Sequence, residues 1–137
     1  MPTLFTRIIN GEIPGTFVHR DLRCVSFMTI NPIARGHLLV LPIEEIDHWS
    51  DMSGDLIAHL FGVAAMIGNA QRRAFHCKRV GLVVAGYEIP HCHIHLIPTN
   101  SMAELSFELA ARDVSARELE SAANQIMTAM QELEQGR

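Results

Sequence analysis

The sequence predicts an α+β fold: an antiparallel sheet of about five strands, with one long central helix and a C-terminal helix. Two observations support this prediction. Short apolar runs, several of them partly alternating, follow one another with only turns between them, which is typical of antiparallel strands. Two later stretches carry apolar residues at helical spacing. We expect the helices to lie on one side of the sheet.

Five apolar runs have the length and the turn boundaries of strands. A short helix or turn at residues 3–10 precedes them and ends at Asn10-Gly11. The breaks between runs contain turn formers such as Asn31-Pro32 and Ala85-Gly86. The predicted strands are 17–20, 24–30, 37–41, 80–84 and 90–98.

Two long helices have recognisable starts. Ser53 is a good N-cap for a helix whose apolar positions run from Leu56 to Ala74 at helical spacing. The final helix begins at Ser115, where Ser115-Ala116-Arg117-Glu118 forms a capping box. Its apolar stripe fits core packing or a dimer contact.

Composition limits the function classes. The 137 residues fit one domain, and the formal net charge of −4 argues against a large nucleic-acid surface. We expect no membrane partner, since no run of 18 apolar residues occurs, and no N-terminal signal pattern is visible. These features predict a cytoplasmic protein. Three cysteines (Cys24, Cys77 and Cys92) fit neither a disulfide framework nor a zinc ribbon.

Three histidines carry the strongest chemical signal. His91, His93 and His95 alternate with apolar residues, so a strand would place them on one face, with neighbouring imidazoles roughly 7 Å apart. A stripe of imidazoles is costly on a buried face without partners. Cys92 would point to the opposite face as a small buried hydrophobe. The pattern therefore favours a functional site.

The stretch His91-Cys92-His93-Ile94-His95-Leu96-Ile97 resembles the signature of the histidine-triad (HIT) superfamily. Two further blocks share the resemblance: residues 5–14, which look like the opening helix and turn of the family, and residues 30–42, which look like its central stretch. The resemblance implies one HIT domain over residues 1–137, with a core at 3–100 and a C-terminal helical extension at about 115–135.

The resemblance also implies an activity. Family members bind purine nucleotides and catalyse hydrolysis or transfer at the α-phosphate through a covalent nucleotidyl-histidine. By position, His93 matches the nucleophile, while His95 and His91 flank it, donate hydrogen bonds to phosphate oxygens and protonate a leaving group. A neutral imidazole is nucleophilic, and its ordinary pKa of about 6.5 leaves it mostly neutral at pH 7. The implied protein is a homodimer that needs no cofactor.

Six positions match the nucleotide-binding parts of the family. Phe5 and Ile8 match apolar positions that hold the base, although ordinary core packing explains them equally well. The segment at 28–30 aligns with residues that meet the ribose, and the residue at 88 stands where a side chain meets the phosphate. The six residues are Phe5, Ile8, Met28, Thr29, Ile30 and Glu88.

Four departures from the family pattern bear on the substrate. Thr29 replaces a common ribose-binding acid, and Glu45 replaces a fourth histidine near the triad. The loop before the triad is short, and Glu88 adds an acid that would oppose an anionic ligand. Some members bind zinc through an N-terminal Cys-x-x-Cys, which here reads Thr3-Leu4-Phe5-Thr6. We therefore predict no structural zinc there.

Three functions fit the sequence. The first is a HIT-type nucleotide hydrolase or phosphoramidase with His93 as nucleophile. The second is a zinc-binding module, because alternating histidines can chelate zinc. The third is a nucleotide-binding or interaction protein with little catalysis, for which the acidic residues Glu45 and Glu88 argue.

Overall fold

The computed structural model describes residues 1–136, and it confirms the predicted α+β fold with five antiparallel strands. Along the sheet the order is β1-β2-β3-β5-β4, and every neighbouring pair is antiparallel. This order places β3 at the centre and leaves β1 and β4 as the edges. The strands are β1 (Phe17–Arg20), β2 (Cys24–Met28), β3 (Leu38–Pro42), β4 (Arg79–Val83) and β5 (Ile94–Thr99).

Two long helices begin where the sequence predicts. The Ser53 hydroxyl accepts a hydrogen bond from the N–H of Leu56 at the start of α2 (Gly54–Phe75). The Ser115 hydroxyl does the same for Glu118 at the start of α3 (Ala116–Gln135). A short helix, α1 (Leu4–Ile9), precedes the sheet. Single-turn 3₁₀ segments lie at Trp49–Asp51, Met102–Glu104 and Phe107–Leu109.

The two long helices share one face of the sheet, as predicted, whereas the short helix α1 lies on the opposite face. Helices α2 and α3 pack on one face, the helix side, together with β-strand residues such as Leu38, Val40 and Ile94. The short helix α1 packs on the opposite face, where Phe5 and Ile9 meet apolar residues of β2 and β3. Period-2 alternation along the strands gives each face its own apolar set.

The histidine segment is only partly a strand, and the prediction of a strand over 90–98 is wrong at its start. Strand β5 begins at Ile94, so His91 and His93 precede it in irregular backbone. The N–H of Cys92 bonds to the Ile46 carbonyl, and that of His91 to the Ile89 carbonyl, instead of to a neighbouring strand. Backbone hydrogen bonds from loops therefore replace the sheet ladder here.

Helix α2 also joins the sheet to the loop before β3. The buried side chain of Gln71 donates to the carbonyl oxygens of Gly36 and Leu96 at 2.9 and 3.1 Å. It thus holds the residue before His37 against the residue after His95.

No helix within residues 1–136 combines the length and the apolar character needed to cross a membrane.

Candidate active site

His93 presents one ring nitrogen to a cavity and anchors the other. Its Nδ1 lies 2.8 Å from the backbone carbonyl oxygen of His91. A carbonyl only accepts, so Nδ1 carries the proton and the Nε2 lone pair is free. Burial lowers the pKa of this imidazole, and its side chain is 6% exposed. A neutral ring with an oriented lone pair is a competent nucleophile.

A second imidazole, His37, fixes the tautomer of His95. The N–H of Ile33 donates to Nδ1 of His37 at 3.0 Å, so the proton of a neutral His37 ring sits on Nε2. That Nε2 lies 3.0 Å from Nδ1 of His95 and donates to it. The remaining nitrogen of His95, Nε2, therefore carries a proton. One backbone N–H, acting through His37, thus makes Nε2 of His95 a donor, and the ring of His95 lies next to that of His93.

The electrostatics agree with this assignment of protons. Burial, with a smaller contribution from His95, lowers the pKa of His37 to about 3. Burial and the neighbouring His93 lower the pKa of His95 to about 4. Both rings are therefore neutral at pH 7. The imidazoles of His93 and His95 pack edge to face with 4.9 Å between their centroids, closer than the roughly 7 Å expected for ideal strand spacing.

His91 lies behind the site, which corrects its predicted contact with phosphate. The residue is fully buried, and its Nε2 donates to the Pro42 carbonyl at 2.8 Å. Its Nδ1 lies 2.8 Å from the Thr3 hydroxyl. Glu45 accepts a 2.6 Å hydrogen bond from the N–H of Thr3, and hydrogen bonds from Thr6 and Thr3 lower the pKa of its carboxyl. His91 is thus a positioning residue.

This network occupies the place where the resemblance implies zinc in some family members. Hydroxyls stand at both cysteine positions, Thr3 and Thr6, and the carboxylate of Glu45 accepts a hydrogen bond from the N–H of Thr3. Neutral hydroxyls are poor zinc ligands compared with thiolates. Hydrogen bonds among these side chains connect α1 to the triad segment. The residues present therefore do not fit a structural zinc at this position.

Helix α1 supports the triad from behind. Phe5 packs edge-on against His93 with 4.9 Å between ring centroids, and against His91 at 5.9 Å. It is 5% exposed and belongs to the core beneath α1. Ile8 is half-buried against the same core. Neither residue is among those that line the cavity in front of the triad, and both pack in the core beneath α1. Their contact with a base stays a prediction.

A cavity of about 610 Å³ opens in front of His93 and His95. Of the predicted nucleotide-binding residues, Thr29 and Glu88 line it. Met28 does not, because its side chain is buried on the helix side. Ile30 is 70% exposed outside the cavity. The Met28 side chain therefore points away from the cavity. The ribose contact of Ile30, which follows Thr29 in the chain, stays a prediction. The lining residues are Thr29, Asn31, His37, Ala85, Gly86, Tyr87, Glu88, His93, His95, Phe107, Glu108, Ala110, Ala111 and Arg112.

Residues 107–112 close one side of this cavity, and sequence reasoning missed them. Phe107 packs edge-on against His95 with 4.9 Å between ring centroids. Two hydrogen bonds attach the segment: Asn31 donates to the Ala111 carbonyl, and the Ala111 N–H donates to the Pro32 carbonyl. Arg112 brings a cation to the cavity wall. No sequence pattern indicated that this polar stretch returns to the triad.

His37 is the other residue that sequence reasoning left without a role. It lies inside the family-like block at 30–42 and directly precedes β3. A histidine next to a fully apolar strand is buried and needs a polar partner. The position of His37 beside such a strand was the sequence signal that it contacts another polar group.

The ring nitrogens limit how the triad can bind a metal. Both nitrogens of His91 and the Nδ1 atoms of His93 and His95 already have hydrogen-bond partners. Of the six triad ring nitrogens, the two Nε2 atoms of His93 and His95 remain for a ligand in the cavity. A chelate of all three imidazoles would require this network to break, so the geometry disfavours the zinc-module hypothesis at the triad.

Comparison with known proteins agrees with the fold and the motif. The sequence profile of the HIT domain matches residues 10–102. An uncharacterised HIT-like protein of Methanocaldococcus jannaschii is 33% identical over 99 residues, which cover 69% of this chain and 77% of that protein. The adenylylsulfatase HINT3 of Arabidopsis thaliana is 30% identical over 69% of this chain and 51% of its own length.

A solved structure shows the same architecture. The hypothetical histidine triad nucleotide-binding protein of Sulfolobus tokodaii superimposes with a TM-score of 0.80 at 25% identity, covering 95% of this chain and 93% of that one. The profile match, the sequence relatives and the oriented histidines lead to one conclusion: this chain belongs to the HIT family.

Proposed function

We propose that the protein hydrolyses or transfers a purine nucleotide derivative at its α-phosphate, through a covalent bond between His93 and phosphorus. One observation supports this proposal above the others: His93 Nε2 is unprotonated and faces the cavity, while the adjacent ring of His95 carries its proton on Nε2. The family relatives include proteins described as nucleotide-binding and as an adenylylsulfatase, which agrees with a nucleotide substrate.

The proposed chemistry has two steps. In the first, His93 Nε2 forms a bond to the α-phosphorus while the bond to the leaving group breaks, and the leaving group takes the electron pair and a proton from solvent. The His91 carbonyl, which holds Nδ1–H, stabilises the positive charge that develops on the ring. In the second step water attacks phosphorus, the electron pair returns to His93, and a proton leaves to solvent.

His95 stabilises the transition state in both steps by donating a hydrogen bond. Because His37 directs the proton of His95 to Nε2, this donor is available at neutral pH without an imidazolium. We therefore assign His95 a donor role in place of the predicted proton transfer to the leaving group, since a neutral ring that gave up Nε2–H would become an anion. Arg112 supplies the positive charge expected near a phosphate.

The test uses adenosine and guanosine 5′-phosphoramidates, dinucleotides and adenylyl sulfate as substrates. We expect His93→Ala to reduce turnover by more than about 1,000-fold, because loss of a nucleophile removes the covalent route. Acid-quenched wild type should carry a nucleotidyl adduct in its intact mass, and the variant should not. Unchanged turnover in His93→Ala would refute the proposal.

A matched control replaces a histidine far from the cavity. His76 is exposed and ends α2 with a left-handed backbone, which asparagine also tolerates. We expect His76→Asn to retain turnover and adduct, which separates loss of chemistry from loss of a histidine.

A second candidate function is nucleotide binding with little catalysis. Two carboxylates, Glu88 and Glu108, line the cavity together with the cation of Arg112, and this balance weakens attraction for an anion. Calorimetric nucleotide binding by the wild type, without turnover of any substrate in the panel, would favour this function.

A further inference from the structure

Three potential metal ligands, His19, Asp21 and Cys24, meet at the turn between β1 and β2, on the helix side of the sheet, and His59 of α2 contacts one of them. The Nε2 atoms of His19 and His59 each lie 2.8 Å from the same carboxylate oxygen, Oδ2 of Asp21. The thiol of Cys24 lies 3.4 Å from that oxygen. The ligand atoms of His19, Asp21 and Cys24 are all within 4.8 Å of one another. No part of the proposed triad chemistry uses these residues.

Backbone geometry brings the side chains of His19 and Asp21 together. The β1–β2 ladder slips between Phe17 and His19, and such an irregularity redirects a side chain, here so that His19 reaches the helix side. The other carboxylate oxygen, Oδ1 of Asp21, accepts the N–H groups of Arg23 and Cys24 at 2.8 and 2.9 Å. These two bonds hold the carboxylate in place and leave Oδ2 for the side chains.

The donor set is the one that zinc prefers. Two imidazole nitrogens, a carboxylate oxygen and a sulfur are its usual protein ligands, and a tetrahedral ion at about 2.0–2.3 Å from each separates them by about 3.3–3.8 Å. The ligand atoms of His19, Asp21 and Cys24 therefore need only small shifts. His59, whose Nε2 lies 2.8 Å from Oδ2 of Asp21, is the fourth ligand and moves toward the other two. Within residues 1–136 neither His19 nor His59 has a partner on Nδ1, so that atom is free to take the proton when Nε2 binds a metal.

Access and burial also suit a metal ion. The side chains of His19, Asp21 and His59 are 21%, 27% and 36% exposed, whereas Cys24 is fully buried beneath them. An ion can therefore enter from solvent past the two imidazoles and reach the sulfur at the base of the cluster.

We propose that His19, Asp21, Cys24 and His59 bind one Zn²⁺ ion. Zinc takes cysteine as a thiolate, so binding releases the Cys24 proton to solvent. The bound ion joins the β1–β2 turn to α2, since His59 lies on that helix. The site lies on the opposite face of the sheet from the triad cavity. It is a structural metal site that links the turn to the helix, whether or not the triad is catalytic.

The experiment uses full-length untagged protein that has been treated with chelator and then dialysed against zinc or cobalt ions. We expect one zinc per chain by elemental analysis, a higher unfolding temperature with zinc, and a thiolate-to-cobalt charge-transfer band in the near ultraviolet. Cys24→Ser should abolish the band, while Cys77→Ser, at a half-buried cysteine outside the cluster, should retain it. His59→Ala removes a direct ligand, so it should weaken zinc binding by at least the roughly 10-fold to 100-fold that loss of an outer-shell partner causes.

The variants His59→Ala and His95→Ala test the zinc site even if Cys24→Ser does not fold. His59 is partly exposed on α2, so its replacement leaves the core intact even if Cys24→Ser unfolds. Absence of stoichiometric zinc in the wild type would overturn the proposal. So would zinc that is lost in His95→Ala but retained in His59→Ala, because the ion would then sit at the triad.

Discussion

At the scale of single residues, His37 controls the proton on His95. The Ile33 N–H directs His37, and His37 directs His95, so one backbone group orients two imidazoles in sequence. Such a relay works only while both rings are neutral, and their burial ensures this at pH 7. The same burial makes the folded protein sensitive to acid.

We predict that the protein loses stability as the pH falls from about 6.5 toward 4. In the unfolded chain a histidine binds a proton near pH 6.5, whereas folded His37 and His95 have pKa values of about 3 and 4. The unfolded state therefore binds more protons in this window, and acid favours it. Each group contributes a slope of at most about 1.4 kcal/mol per pH unit. Urea unfolding at several pH values, with chelator present, measures the slope.

The variant His37→Gln is the control for this prediction. Glutamine donates through an amide and does not titrate. The number of protons taken up on unfolding, which the slope of the unfolding free energy against pH measures, should therefore fall by about one while the fold persists. An identical slope in wild type and variant would contradict the assignment of a neutral, buried His37.

At the scale of elements, the loop before β3 is held by its contact with the end of α2. Gly36 has φ of +91°, and an added Cβ would collide with the ring of Phe75. We predict that Gly36→Ala lowers the free energy of unfolding by at least about 2 kcal/mol, through backbone strain and overpacking. Chemical denaturation measures this change.

A glycine inside α2 provides the opposite expectation. Gly68 has a helical backbone, and a methyl group added there would meet no other atom within 4 Å. Gly68→Ala should therefore stabilise the protein by about 0.5–1 kcal/mol. If both alanine variants had the same effect, the Phe75 contact would not explain the first.

The sequence predicts most elements because their signals are local. Ser53 and Ser115 cap their helices as expected, and β1 has the predicted bounds. The start of β5 was not predictable, because the carbonyl of Ile46, far along the chain, takes the N–H of Cys92 away from the sheet. Placement of α1 opposite the long helices likewise depends on which strand face each helix covers.

The candidate site was predicted less completely than the fold. Alternation identified His93 and His95, but it also included His91, whose position is set by the Thr3 hydroxyl and the Pro42 carbonyl. His37 and Phe107 reach the site through contacts that are distant in sequence. Such long-range contacts leave no periodic pattern in the chain.

At the scale of the whole molecule, two features fit association with a second copy of the chain. Strand β4 is an edge strand whose Leu82 is 45% exposed, and α2 exposes Phe61 and Met66 at 40% each. An open sheet edge and exposed apolar side chains each favour pairing between chains. We therefore predict the homodimer that the family resemblance implies.

Sedimentation equilibrium tests the dimer directly. We expect the wild type to have twice the chain mass and Phe61→Glu to shift it toward the monomer, because a buried charge opposes association. Leu22→Lys, at a 98% exposed leucine outside β4 and α2, should leave the mass unchanged. A monomeric wild type at micromolar concentration would contradict the prediction.

Only one wall of the cavity lies within the residues that the family profile matches, and this has a consequence for how the chain can vary. The histidines lie within residues 10–102, which the HIT profile matches, whereas Phe107 and Arg112 lie beyond that range. The backbone groups that orient His93 and His95 belong to the first wall, so residues 107–112 can change without disturbing those protons. Substitutions in residues 107–112 can therefore reshape the cavity while the hydrogen bonds that orient His93 and His95 stay intact.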